Sequence, residues 1–289
     1  MSSSIYKSEN TRCQLLKLYD QKQQNLKIPI EDVYVDTFAG KTHVLASGDS
    51  KNPPVVLLHA FNAGAPVSLE PIQGLQRNYR LYALDTIGQA TKSAETRLSL
   101  GNEDYGKWVS EVVSKLKVEE ATFIGVSYGA FILLNYLKFS PEKIGKCIFL
   151  VPAGIANGNT ITLLRKVTFP IINFLITKSE KSLRRFMDAF YTTYDNDDVS
   201  FLRHILLGMK HDHRKPPLVK KSELEHFSAP TYVMVVDDDV FFPADKVVMR
   251  SKSIFKNFKE WYMLKGSKHI PDSRFYNEIE KVLTTWLQA

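Results

Sequence analysis

Ser127 stands at the centre of the pentapeptide Gly125-Val126-Ser127-Tyr128-Gly129, within FIGVSYGAF (123–131), where two glycines flank the serine and bulky apolar residues lie on both sides. A serine hydroxyl becomes a nucleophile only beside a base, and an imidazole base works best when a carboxylate fixes its tautomer and stabilises its cation. Both partners follow downstream: TYVMVVDDDVFFPAD holds Asp237, Asp238 and Asp239, and EWYMLKGSKHIPDS holds His269. The chemistry this set could perform is attack on a carbonyl carbon. A Gly-x-Ser-x-Gly match alone does not separate a nucleophile from a turn serine; the downstream carboxylate and imidazole carry the reading.

Seven histidines compete for the base role. His43 falls in an expected hairpin, His204, His211, His213 and His226 fall in or beside an irregular stretch, and His59 ends an apolar run in LLHAF, where it is expected to orient a loop. Only His269 follows the last strand-like run through a glycine-containing approach with a helical pattern behind it. Among the aspartates, strand alternation turns neighbours to opposite faces, so the three cannot serve equally. Asp239, four positions before Pro243, is favoured, with Asp237 held in reserve. His211 and His213 in HDH lack a third ligand at metal-site spacing. Neither DNDDVSF nor DDDVFF has the glycine and terminal glutamate of a calcium loop. The expectation is therefore no metal and no cofactor.

The elements that must position these residues are legible as alternation. DVYVDTFAGKTHVLASG predicts a β-hairpin turned at Ala39 and Gly40, and PPVVLLHAF, YRLYALDT, ATFIGVS, KCIFLVPA, TYVMVVDDD and KEWYMLK predict six further strands. Several are unbroken runs of Val, Ile, Leu and Phe, as expected of strands buried on both faces. Helical spacing fills the intervals near 66–76, 103–117, 128–139, 244–257 and 273–288. This is the pattern of an α/β fold with a mostly parallel central sheet and helices on both faces. Ser127 then sits where a strand turns sharply into a helix, and glycines at 125 and 129 relieve the crowding of that turn. Residues 154–225 break the rhythm with helical patches alone and predict a helical cap insertion within a single 1–289 domain; an extra amphipathic helix is predicted over 1–25. In the insertion, the apolar residues of FPIINFLI with Phe186, Phe190, Tyr191 and Tyr194 are candidates for an acyl pocket, although a Phe and Leu stripe is more often packed core.

Composition narrows the class. The 289 residues carry a formal charge of +7, but the 38 Lys and Arg are interleaved with carboxylates and apolar residues and form no nucleic-acid motif. A membrane-surface role for the insertion is the lesser reading, since Asp188, Asp195, Asp197 and Asp198 dilute its positive field. No segment is expected to reach the roughly 18 apolar residues of a membrane span. The two cysteines, Cys13 and Cys147, have no paired spacing, and the N-terminal residues show no signal-type apolar stretch, so a reducing, cytoplasmic setting is expected.

Over nearly its whole length the chain resembles the α/β-hydrolase superfamily, and in particular single-domain bacterial carboxylesterase-like serine hydrolases. LLHAFNAGA resembles the oxyanion loop, ALDTIGQATKS the segment after the fourth strand, GVSYGA the nucleophile elbow, DDDVFFP the acid loop and GSKHIP the histidine loop. The resemblance implies an esterase with a Ser127, His269 and Asp239 triad and an oxyanion hole made by the backbone N–H groups of Phe61 and Tyr128. It implies a small-molecule ester or related carbonyl substrate and leaves the oligomeric state open. The same machinery serves lactonases, C–C bond hydrolases and perhydrolases, and catalytically weak receptors keep the same pocket. Ala60, Gln89, Ala90 and Ala130 depart from the family pattern. Asp85 resembles a structural residue at a strand end.

Overall fold

The computed structural model describes residues 4–289. The expected helix over 1–25 is shorter: α1 spans Glu9–Gln24, capped by the Ser8 side chain accepting from the Thr11 amide, and positions 1–3 of that expectation lie outside the described residues. Residues Ile5 and Tyr6 are buried in extended backbone instead, where Tyr6 bridges Met209.

Eight strands form one sheet in the order β1-β2-β4-β3-β5-β6-β7-β8. They are β1 (Glu31–Thr37), β2 (Gly40–Ser47), β3 (Pro54–Leu58), β4 (Arg80–Leu84), β5 (Ala121–Val126), β6 (Ile144–Leu150), β7 (Thr231–Asp238) and β8 (Phe258–Lys268). The β1–β2 hairpin and the β2–β4 pair are antiparallel; every pairing from β4 to β8 is parallel. Gly40, at φ 111°, supplies the left-handed turn residue that the hairpin needs.

Alternation along the central strands divides the core. Val56, Leu58, Phe123, Cys147, Phe149, Val233 and Val235 face one layer, built on α3 (Asp104–Lys115), α4 (Tyr128–Phe139) and α9 (Ala244–Ile254). Val55, Leu57, Ile124, Ile148, Tyr232 and Met234 face the other, built on α2 (Gly64–Leu69), the following 3-10 turns Glu70–Arg77 and α10 (Tyr276–Gln288). Burial on both faces is why these strands read as continuous apolar runs. Parallel strands joined by crossover helices also bring all their carboxyl ends to one edge, where the chemistry-bearing residues collect.

Between β6 and β7 the chain is helical: α5 (Thr160–Leu163), one π-helical segment Leu164–Thr168, α6 (Phe169–Thr177), α7 (Glu180–Met187) and α8 (Asn196–Gly208). An Asp195–Asp198 capping box starts α8. Phe174, Leu183, Phe186, Met187, Phe190, Val199 and Leu206 make a separate apolar cluster there. One sequence expectation needs correction: the continuous helix Thr160–Thr177 has 18 residues and a mean hydropathy of 1.3, long and apolar enough to cross a membrane. Arg165 and Lys166 interrupt its apolar run and hid it from a residue-by-residue reading.

Candidate active site

β5 delivers Ser127 and α4 carries the chain away. Ser127 adopts φ 50° and ψ −111°, a conformation that L-residues avoid at a cost of about 1–3 kcal/mol. Backbone bonds on both sides hold it there: its amide donates to the Leu150 carbonyl at 2.9 Å, and its carbonyl accepts from Ala130 at 3.0 Å and Ala153 at 3.1 Å. The flanking glycines are required by contact. A Cβ at Gly125 would stand 2.7 Å from the Ala130 Cα, and one at Gly129 would stand 2.0 Å from the Leu58 carbonyl oxygen. Gly129 therefore lets the start of α4 press directly on the end of β3, beside the loop that carries Phe61.

The histidine and acid loops meet the elbow. Ser127 Oγ lies 3.0 Å from His269 Nε2, and His269 Nδ1 lies 2.8 Å from Asp239 Oδ2. The other carboxylate oxygen of Asp239 accepts from the amides of Phe241 at 2.8 Å and Phe242 at 3.0 Å. The Phe241 and Phe242 rings stand edge-on to the imidazole at 5.0 and 5.4 Å. Ser127, Asp239 and His269 are all buried. The carboxylate is therefore held by two N–H donors, and the imidazole is held in plane by one carboxylate and two rings. Asp237, the reserve candidate, faces elsewhere: its carboxylate accepts from Gly266 at 2.9 Å and Ser267 at 3.1 Å and so braces the approach to His269.

Phe61 and Tyr128 are brought together, with ring centroids 5.2 Å apart. Neither backbone N–H has a backbone acceptor among the described residues. Tyr128 opens α4, where the first N–H groups lack helical partners and the helix end carries partial positive charge. Its phenol points into a cluster with Tyr105 and Phe131, and burial raises its pKa far above the usual phenol value. At Tyr128 the amide, not the buried hydroxyl paired with Tyr105, is without an acceptor among the described residues.

The departures from the family pattern acquire reasons. Ala60 and Ala130 have ordinary negative φ, so the glycine replaced at each is not needed for backbone freedom. The positive φ of this loop falls instead on Asn62 at 54° and Gly64 at 78°. Asn62 donates its amide to Gln89 Oε1 at 2.6 Å and accepts from the Ala90 amide at 3.1 Å. Gln89 and Ala90 thus clamp the residue after Phe61, a role that sequence reading missed because the two partners lie 27 and 28 positions away.

The other histidines are engaged differently. His43, in the β1–β2 hairpin as expected, is fully buried between Asp85 and Asp32. Asp85 also accepts the Ala65 amide at 2.8 Å at the start of α2. His59 donates from Nδ1 to the Ala60 carbonyl and accepts at Nε2 from Thr86. The helical segment is tied to the histidine loop: Ile270 donates to the Phe190 carbonyl at 2.8 Å, Thr192 donates to the Ile270 carbonyl at 3.0 Å, and Lys268 Nζ donates to the Asp188 carbonyl at 2.6 Å. Phe186 and Phe190 are buried in that segment's own cluster, whereas Phe169, Ile172 and Ile176 face outward.

The family model described as alpha/beta hydrolase fold matches residues 53–271. Two Bacillus subtilis (strain 168) proteins are similar in sequence. One, called an uncharacterized carboxylesterase nap, is 32% identical over 152 residues, covering 53% of this chain and 51% of the relative. The other, carboxylesterase YbfK, is 32% identical over 135 residues, covering 47% and 46%. The chain spans about half the length of the curated relatives it matches. In three dimensions, the crystal structure of naproxen esterase (carboxylesterase NP) from Bacillus subtilis superposes with a TM-score of 0.83 at 20% identity, covering 97% of this chain and 99% of that one. At that identity the superposition speaks for the fold alone.

Proposed function

The chain belongs to the α/β-hydrolase fold family, and from that premise we propose that it is a serine hydrolase cleaving carboxylic esters through an acyl-enzyme. One observation carries the reading: the unbroken hydrogen-bonded line from Ser127 Oγ through His269 to Asp239, at 3.0 and 2.8 Å, with the serine on a strained turn. His269 Nε2 takes the proton as Ser127 Oγ attacks the ester carbonyl carbon. Asp239 stabilises the imidazolium, and two amides already directed at its far oxygen hold that carboxylate in place. The N–H groups of Phe61 and Tyr128 receive the oxyanion. His269 then returns the proton to the leaving alcohol, and water repeats the sequence on the acyl-serine to release the acid. Residues 154–225 form the cap of this site, and the carboxylesterase names of the sequence relatives support an ester as the bond cleaved.

Ser127→Ala is the test. The variant should fold normally, lose about 10⁴- to 10⁶-fold in turnover of a p-nitrophenyl ester and fail to react with a fluorophosphonate probe. Turnover within tenfold of wild type would sink the assignment.

A further inference from the structure

The helix Thr160–Thr177 turns an apolar stripe to solvent. Ile161, Leu164, Phe169, Ile172 and Ile176 are 67%, 41%, 60%, 45% and 76% exposed. Their spacing is three or four residues except for the step from Leu164 to Phe169, and the π-helical segment Leu164–Thr168 occupies that step. A π turn takes an extra residue per turn, so the wider spacing keeps the stripe on one side of the helix. The opposite side, through Leu163, Val167, Ile171 and Phe174, packs into the cluster with Phe190, Val240, Phe241 and Ile270. A helix committed to the protein on one side and apolar on the other has the form of an interfacial helix, not a spanning one.

Charge selects the occupant. Residues 160–187 contain Arg165, Lys166, Lys178, Lys181, Arg184 and Arg185 against a single acidic residue, Glu180, and Glu180 is held by Arg184 at 2.8 Å. The other five cations are exposed and make no ion pair among the described residues. The carboxylates expected to dilute this field, Asp188, Asp195, Asp197 and Asp198, all follow α7 rather than lie along the stripe, and Asp198 faces Lys22 at 3.8 Å. An apolar stripe beside unpaired cations fits a surface that offers acyl chains under anionic headgroups.

We propose that the outer face of Thr160–Thr177, with the flanking basic residues, docks this protein on an anionic lipid bilayer surface. The docked helix lies next to the site, because its inner face shares a cluster with Phe241, whose ring stands 5.0 Å from His269. Binding does not depend on the hydrolase reading, so it is measured without turnover.

The full chain is sedimented with vesicles of phosphatidylcholine alone and with vesicles containing about one third phosphatidylglycerol. Binding is expected to the second, weak on the first, and largely lost near 0.5 M salt, roughly where surface charges are screened. Ile172→Asp with Ile176→Asp should lower the bound fraction about tenfold or more at an unchanged melting temperature. Should that pair fold poorly, Ile161→Asp reports on the same stripe. Lys178→Glu with Lys181→Glu should weaken binding to the anionic vesicles alone. The proposal is overturned if the wild type stays in the supernatant, if the aspartate variants bind as well as wild type, or if light scattering shows a dimer that the same substitutions break while no vesicle is bound.

Discussion

Two histidines in this molecule hold an aspartate on Nδ1 at the same 2.8 Å, His269 with Asp239 and His43 with Asp85. They differ at the other nitrogen. His269 Nε2 faces the Ser127 hydroxyl at 3.0 Å, a group that can give up a proton, whereas His43 Nε2 faces a second carboxylate, Asp32, at 2.8 Å. An imidazole between two carboxylates is a strut, joining the hairpin to the end of β4 and, through the Ala65 amide, to α2. An imidazole between a carboxylate and a serine hydroxyl has the geometry to carry a proton. A His–Asp pair is thus no sign of catalysis until the second nitrogen's partner is known.

The largest effect that separates the two pairs is on turnover. Asp239→Asn should keep an oxygen for the Phe241 and Phe242 amides but present the wrong tautomer to Ser127, lowering kcat about 10⁴-fold. Its urea unfolding midpoint should stay near wild type. Asp85→Ala should do the reverse. It leaves the Ala65 amide and a fully buried imidazole without their acceptor, which costs on the order of 3 kcal/mol of stability in urea denaturation. The folded remainder should hydrolyse ester within about tenfold of wild type. Exchanged outcomes, with Asp239→Asn unfolding and Asp85→Ala inactive but stable, would erase the distinction.

A smaller effect tests how far positioning extends from the proposed catalytic pair. Gln89→Ala removes the acceptor that holds the Asn62 amide at φ 54°, next to Phe61. Losing an oxyanion donor outright costs about 100- to 1000-fold, so loosening one should cost roughly tenfold in kcat with little change in KM. An unchanged kcat would mean that the loop needs no clamp.

Much of this was open to inspection in the sequence, and the physical reason is locality. Strand alternation, the elbow glycines and the order Ser127, Asp239, His269 depend on neighbours along the chain or on strand direction. The choice between Asp239 and Asp237 stayed open because both follow the same strand; it turns on which one β7 directs at His269 and which at Gly266. The partners of His43 and Gln89 were not legible because they arrive from 42 and 27 residues away, across strands and loops whose approach no local pattern encodes. The outward stripe on Thr160–Thr177 was read as core or pocket because apolar periodicity says that a helix has faces, not which of them the fold covers.

His59 completes the series, since both of its nitrogens are committed to the backbone. Nδ1 donates to the Ala60 carbonyl at 2.7 Å and Nε2 accepts from the Thr86 amide at 2.9 Å, so a proton can enter only by breaking the second bond. Burial pushes its pKa below the usual imidazole value, against the opposing pull of the Asp85 carboxylate and the Ala60 carbonyl. The sign follows from proton counts. Below about pH 6.5 the unfolded chain takes up a proton at this histidine that the folded chain refuses, so stability falls as pH drops from there toward the depressed folded value. The slope can reach about 1.4 kcal/mol per pH unit for one such group. His59→Gln should lower stability at pH 7.5 by leaving its buried backbone partners less well paired, yet flatten the decline between pH 6.5 and 5.5. A titration of the His59 Cε1 proton by NMR should inflect below the free-imidazole value; an inflection at or above it would place His59 with the proton carriers and leave burial unable to explain the difference between the histidines.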